Sequence, residues 1–395
     1  MKKSFRIIAF IVAAGLHGAC QGNEAPQPAG STGRIVVISN DLCRLEFDAG
    51  KAGACTAYRV SDPTMAFDLA PGSELFQEVF TRTAMEKGFK AVEYKTQALE
   101  GGKGVVFSLA LDAANADESV AGLQLKRVVT LPAGARHINV EQTLSNPTKD
   151  VMGAQMGVRS RWIPAGKQSS PMICLPTERN VQRIVNNSID SYYVKNSDWD
   201  YEPVEGWLAA ISENNNAGLV FVFEPLPVVD SFFNQNGGLV SGWFLDGGIL
   251  NPGESFKTTC RVIPVHGFKA VAYASSRWIA DIQVKPLPLG LEITHTLAGA
   301  TAPLGEVRVS TVLYGARSKK SAELPSFTLP QVGLDPVQKA VTTDQSQGEP
   351  LVVRVRVSGK DWSESYEAYY EGKFPANIYP GYPWVPEYRR PKLKR

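Results

Sequence analysis

The chain has 395 residues, with 41 Lys or Arg against 39 Asp or Glu, so its net charge lies near zero. That balance excludes the electrostatic footprint of a nucleic-acid-binding protein; the basic cluster Arg389, Arg390, Lys392, Lys394 and Arg395 reads as a solvated terminus. Gly and Pro are abundant, 35 and 26 residues, and seven Trp and thirteen Tyr accompany them. This mixture fits an all-β protein with many turns and is too rich in aromatics for low-complexity disorder.

At the start, Lys2, Lys3 and Arg6 precede an uncharged run over 7–16, and Leu16-His17-Gly18-Ala19-Cys20 follows. A basic start, a short apolar core and small residues before the cut are what an export machinery reads. The run is too short to span a bilayer, which takes about 20 residues. The stretch resembles a bacterial lipoprotein signal, with Cys20 as the first mature residue. It departs from that pattern at His17, where the family has Leu, while Leu16 stands one step back. The resemblance implies an exported protein of the bacterial cell envelope, facing the periplasm or the cell surface and anchored by a lipid on Cys20. The alternatives are a simply cleaved peptide or a retained anchor. Residues 21–33, rich in Gly, Pro, Ala and Ser, read as a flexible tether. No second long apolar run follows, so the rest reads as a body that is soluble apart from its anchor.

An oxidising periplasm permits disulfides. Cys43 and Cys55 lie in strand-like runs, 42–47 and 54–60, on either side of the turn-rich Asp48-Ala49-Gly50-Lys51-Ala52-Gly53. A hairpin centred near residue 49 sets them roughly opposite each other, which leaves two readings open: a cross-strand disulfide, or two buried free thiols. Direct cross-strand geometry strains a disulfide. With no Cys-x-x-Cys spacing and only four histidines, zinc is not expected, and no cofactor motif is present.

Strand signals dominate the next 250 or so residues. The run 105–111, the set Leu123, Leu125, Val129 and Leu131, and the set Ile138, Val140 and Leu144 are each near period two. Pro132-Ala133-Gly134 and Asn146-Pro147 supply turns. Further strands are expected at 207–211 and 219–223, joined by a polar loop, and at 239–245 and 255–265. Short helical pieces are expected at 73–81 and 273–282. A boundary falls near Lys285-Pro286-Leu287-Pro288. The shorter strands beyond it, 291–296, 307–314, 326–329 and 351–357, make a small immunoglobulin-like β-sandwich over 285–358. From Gly359 an aromatic and proline-rich tail, 359–395, is expected to run extended, packing along the body or offering rings to a partner.

Three stretches carry a family resemblance. One is Leu125-Lys126-Arg127-Val128-Val129-Thr130-Leu131-Pro132 with Ile138-Asn139-Val140-Glu141-Gln142-Thr143-Leu144-Ser145-Asn146-Pro147-Thr148. The second is the hairpin from Gly206 to Phe223, and the third Leu250-Asn251-Pro252-Gly253-Glu254-Ser255-Phe256. Together they resemble the galactose-mutarotase-like carbohydrate-binding superfamily, which implies a large antiparallel β-supersandwich over 34–284. The resemblance does not extend to the family's chemistry. Where that family has a histidine after the central strands, this chain reads Gly157-Val158-Arg159-Ser160-Arg161-Trp162, and a mutarotase needs a histidine acid beside a carboxylate base. His137 and His266 read as structural or surface residues.

Sugars offer C–H faces to aromatic rings and hydroxyls to carboxylates and guanidinium groups. The loop containing Asp198, Trp199, Asp200, Tyr201, Glu202 and Glu205 has that composition. Arg159 and Arg161 end a strand that faces the ligand groove in the fold's relatives, and Phe232, Phe233, Asn234, Trp243 and Asp246 fall on later strands of the same face. The ligand-binding candidates are therefore Arg159, Arg161, Trp199, Asp200, Tyr201, Glu202 and Asn234, with a glycan or oligosaccharide as partner and no catalytic residue assigned. Trp207 and Trp243 read as core. The alternatives are a glycoside hydrolase or polysaccharide lyase using carboxylates of the 198–205 loop, and an envelope scaffold meeting a partner through the tail.

Overall fold

The computed structural model describes residues 35–69, 71–80, 93–162, 172–176, 181–184, 205–212, 216–224, 228–234, 239–344 and 349–370. All belong to one compact unit, Thr32–Arg395. The signal, Cys20 and the tether lie outside the described residues.

The described residues form four antiparallel sheets. The first has eight strands, in spatial order Ile35–Ser39, Cys43–Asp48, Ala54–Asp62, Glu74–Val79, Met152–Trp162, Leu239–Leu250 and Val228–Asn234, with Met65–Asp68 beside Ala54–Asp62. The second has nine: Val181–Ile184, Met172–Pro176, Trp207–Ser212, Ala217–Glu224, Ser255–His266, Ile138–Ser145, Gln124–Thr130, Gly104–Ala110 and Lys95–Ala98. These two sheets face each other, and inward residues of both, among them Leu45, Phe107, Val140, Val158 and Trp243, make one core. Strand Ile138–Ser145 shows why: every second side chain is buried, the pattern expected of a sheet packed on one side. The all-β supersandwich expected from the sequence is the architecture observed.

The third sheet comprises Tyr273–Ala274, Trp278–Pro286, Leu291–Gly299 and Val337–Thr343. The fourth comprises Ser321–Glu323, Gly305–Gly315, Leu351–Ser358 and Ser363–Tyr370, with Phe327–Val332 beside Gly305–Gly315. They enclose a second core in which Val353, Val355 and Val357 point inward while Arg354 and Arg356 stay exposed. A third apolar cluster joins the outer side of the second sheet (Trp207, Ala209, Ile211, Val220, Val222) to Ile279 and Ala298 of the third. Burial on both faces explains why Trp207–Ser212 and Ala217–Glu224 read as nearly continuous apolar runs rather than alternating ones.

Several sequence expectations are corrected. Residues 273–282 form a hairpin rather than a helix: Ser275 Oγ accepts from the backbone N–H of Arg277 and Trp278 at 3.2 and 3.3 Å, capping a tight turn. Beyond it Trp278, Ala280 and Ile282 enter the second core at period two. Residues 74–79 are likewise a strand, Glu74–Val79, in the middle of the first sheet. Ser363–Tyr370, expected in the tail, pairs along its length with Leu351–Ser358 and puts Tyr366 in the second core.

Cys43 and Cys55 are both free and buried. The hairpin register pairs Cys43 with Val60 and Cys55 with Phe47, so the cysteines are offset by four residues, about 13 Å of strand. The turn is centred near residue 51, with Asp48 opposite Ala54, and a bulge at Glu46/Phe47 shifts the register further.

Candidate ligand-binding face of the first sheet

In strand Met152–Trp162, Ala154, Met156, Val158 and Trp162 belong to the core, so by alternation Gly157, Arg159 and Arg161 lie on the sheet's outer face. Backbone register extends that face sideways. Arg159 stands between Gln77 and Gly242, and Arg161 between Glu74 and Val240. One strand further on, Phe232 is opposite Gly242 and Asn234 opposite Val240. Arg161, Glu74 and Asn234 therefore share one transverse row of the sheet, and Arg159, Gln77 and Phe232 the next.

Glu74 and Gln77 could not share a face in a regular strand, since they are three residues apart. A bulge resolves this: between Arg159 and Arg161 the register on Glu74–Val79 slips by one residue. Both Leu75 and Phe76 turn into the core, and Phe76 has a φ of 64°, costly for any residue other than glycine. The surrounding structure holds it there. Ser160 Oγ accepts from the Phe76 N–H at 3.1 Å, and Arg127 Nη1 donates to the Phe76 carbonyl.

Arg127 reaches across from the second sheet as the centre of a buried polar network. Its Nη1 donates to Glu78 Oε2 at 2.8 Å, and its Nη2 donates to the carbonyls of Gly53 and Ala52. The Tyr94 hydroxyl donates to Glu78 Oε2 at 3.0 Å and Gln142 Nε2 to Glu78 Oε1 at 2.6 Å. Burial, reinforced by the Glu78 charge, pushes the Tyr94 hydroxyl pKa well above its ordinary value. The guanidinium also lies 4.5 Å from the Phe107 ring centroid, a cation–π contact.

The outer face has a polar floor and a charged rim. Gln77 is only 3% exposed, whereas Glu74, Arg159 and Arg161 are partly exposed. Glu74 is held by Lys51 Nζ at 3.0 Å and by Gln77 Nε2 at 3.3 Å. Arg159 has a long hydrogen bond, 3.4 Å from Nη1 to Gln77 Oε1, and its buried Nε has no acceptor. Burial lowers the Arg159 pKa; Glu74 opposes the shift and the neighbouring Arg161 adds to it. Within this cluster Lys51 pairs with Glu74, and Arg159 and Arg161 stand beside them in register.

Of the sequence candidates, Arg159 and Arg161 come together on this face, and Asn234 shares its backbone row with Arg161. Trp199, Asp200, Tyr201 and Glu202 lie outside the described residues. Trp207 is core, 2% exposed, and its indole donates to Glu205 Oε2 at 2.8 Å, which occupies that carboxylate. Trp243 is core as well. His137 is buried, its pKa lowered to about 4 by burial and by Arg261, and His266 Nε2 sits 3.8 Å from Asp335 Oδ1. Glu74 and Gln77 were not legible beforehand, because the bulge that aligns them breaks strand periodicity and lets 73–81 read as a helical turn; Lys51 comes from the separate turn Ala49–Lys51.

No family model matches the sequence, and no curated protein matches it. Among solved structures the chain is similar to a putative aldose 1-epimerase from Escherichia coli K12, with a TM-score of 0.41 and 9% identity over 59% of this chain and 99% of that one. It is also similar to a galactose mutarotase-like protein from Lactobacillus casei, with a TM-score of 0.41 and 10% identity over 58% and 99%. A ligand-free alpha-N-acetylgalactosaminidase from Bifidobacterium bifidum gives a TM-score of 0.39 and 10% identity over 60% and 36%.

Proposed function

We propose that this protein binds a carbohydrate on the outer face of the first sheet, without chemical turnover, while held at a bacterial membrane through a lipid on Cys20. The observation that carries the reading is the pair of adjacent rows made by Glu74 with Arg161 and Gln77 with Arg159. Carboxylate, amide and guanidinium groups side by side are the donors and acceptors that paired sugar hydroxyls require. Arg159 gives the cluster a reason to take a ligand. A partly buried guanidinium with one long hydrogen bond and an unmatched Nε lacks partners it could gain from an incoming oxygen.

The alternative reading, hydrolysis, turns on the carboxylates. A glycosidase needs two carboxyl groups about 5–10 Å apart across the bond. Of the described carboxylates, Glu74 is paired with Lys51 and Glu205 accepts from the Trp207 indole, while Asp198, Asp200 and Glu202 lie outside the described residues.

The test is a glycan array probed with the mature chain, followed by calorimetry and product analysis on every hit. Binding that falls about tenfold or more in Arg159→Ala, with no product released, is the expected result. A chain that folds but retains no glycan would overturn the reading, and product release would replace it with an enzymatic one.

A further inference from the structure

We propose that the strand Ile35–Ser39 docks a second copy of this chain, the two strands pairing antiparallel about a twofold axis so that the first sheets of two protomers run on into each other. The proposal goes beyond the carbohydrate reading and does not depend on it. Ile35–Ser39 closes one side of the first sheet and pairs, without a bulge, with Cys43–Asp48 alone. Among the described residues, none of its five makes a backbone hydrogen bond to any other segment. A row of N–H and C=O groups therefore faces outward, which is the template an incoming strand needs.

Outer strands of a sheet usually carry a charge, a proline or a bulge that turns other strands away, or are very short. The strands at the other ends of the four sheets follow that rule. Asp230 stands in Val228–Asn234, Arg183 in Val181–Ile184, Lys95 in Lys95–Ala98, Lys339 in Val337–Thr343, Glu323 in Ser321–Glu323 and Glu364 in Ser363–Tyr370, while Tyr273–Ala274 has two residues. Ile35–Ser39 has neither charge nor proline, and four of its five residues are β-branched.

The strand fits its own copy. Ile35 and Val37 point to the outer face, 46% and 40% exposed, and Val36 packs against the core on the inner one. Residues opposite each other in an antiparallel pair share a face. Pairing about Val36 sets Ile35 opposite the partner's Val37, and Val37 opposite the partner's Ile35. Four exposed aliphatic side chains then gather on one face, and the two Val36 side chains meet on the other. Such a contact is isologous: it uses both open edges and stops at two copies. With 41 basic against 39 acidic side chains, the copies do not repel at long range.

The experiment is sedimentation equilibrium of the full chain carrying Cys20→Ser, which removes any association through a lipid, joined to a distance measurement between nitroxides on Ser39→Cys. The native thiols of the body are buried and do not take the label. The chain should pass from monomer to dimer as its concentration rises, and no further. Residue 39 of the two copies is six residues apart in this register, so the nitroxides should stand about 20 Å from each other. Val37→Lys puts a charge into the apolar row of each copy and should weaken the dimer about tenfold or more. Val37 is exposed, so the melting temperature of the dilute variant should stay close to that of the unsubstituted chain. Ile35→Lys should behave in the same way. A monomer at every concentration overturns the proposal and leaves the edge to a strand of another protein. A dimer that neither lysine weakens overturns it too, since its contact then lies elsewhere. A nitroxide distance far from about 20 Å overturns the pairing about Val36.

Discussion

Arg127 Nη1 lies 2.8 Å from Glu78 Oε2 between the two large sheets, and neither side chain exposes any surface. The pair ties the sheets together: Arg127 comes from Gln124–Thr130 and Glu78 from Glu74–Val79, the strand that carries the bulge under the candidate site. The same guanidinium holds the Phe76 carbonyl, so a core interaction supports the backbone distortion that brings Glu74 and Gln77 onto the outer face.

Removing one partner strands the other as a buried unpaired charge. Arg127→Met and Glu78→Met should each cost about 3–5 kcal/mol in denaturant unfolding. The double variant should lose clearly less than the sum, because no uncompensated charge remains. Simple additivity in this cycle would show that the pair does not act as a unit.

Gly53 is fitted to that guanidinium. Its φ is +59°, and a Cβ there would stand 2.3 Å from Arg127 Nη2 and 2.7 Å from Phe107 Cδ1. Gly134 has a similar φ, +64°, with nothing within 4 Å of the corresponding Cβ. Gly134→Ala should therefore cost only the left-handed strain, about 1 kcal/mol, and Gly53→Ala about 2 kcal/mol more. Equal losses by thermal or chemical unfolding would show that the crowding around Arg127 relaxes freely.

The thiols of Cys43, Cys55, Cys174 and Cys260 are all buried. Burial pushes the Cys43 and Cys55 thiols up to about 12, so no appreciable thiolate exists near neutral pH. In a Cys20→Ser background, a thiol reagent should find none of them reactive in the native state and all four after unfolding. Two thiols missing after unfolding without reductant would restore the disulfide reading.

How much of this was legible beforehand follows from where periodicity survives. Ile138, Val140 and Leu144 alternate cleanly because their strand packs on a core, and they fixed the fold class. The pairing of Cys43 with Val60 was not legible, since a single bulge at Glu46/Phe47 shifts every partner beyond it. Arg159 and Arg161 were legible as strand-end cations, but Glu74 was not, because its alignment depends on the positive φ of Phe76. Arg127 was legible only by its position. Its place between Leu125 and Val129 in the alternation sets it on the core face, but the pattern names none of the partners, Glu78 and the carbonyls of Phe76 and Gly53, that satisfy it there.

The membrane tether is tested separately from the body. Expressed in a bacterial host with labelled palmitate, the full chain should take up label and sediment with membranes, whereas Cys20→Ser should be unlabelled and soluble. Label that persists in Cys20→Ser, or wild-type chain that takes up none, would remove the lipid from the proposal.

His295 makes the second sandwich acid-sensitive. It is 0% exposed, its Nε2 is 3.2 Å from Thr311 Oγ1, its Nδ1 has no partner, and its ring lies 5.4 Å from that of Phe327. Burial lowers its pKa from 6.5 to about 4. A histidine depressed in the folded state stays neutral there while the unfolded chain takes up a proton, so the unfolded form gains as pH falls. Stability is fully present above 6.5 and is lost progressively down to about 4, by at most about 3 kcal/mol from this residue. His137, lowered to about 4 as well, acts in the same window and the same direction. His295→Gln keeps a polar side chain near Thr311 and cannot titrate, so its melting temperature should fall less steeply across that window than the wild type's. Parallel profiles for the two proteins would mean that His295 is hydrated or already charged in the folded state.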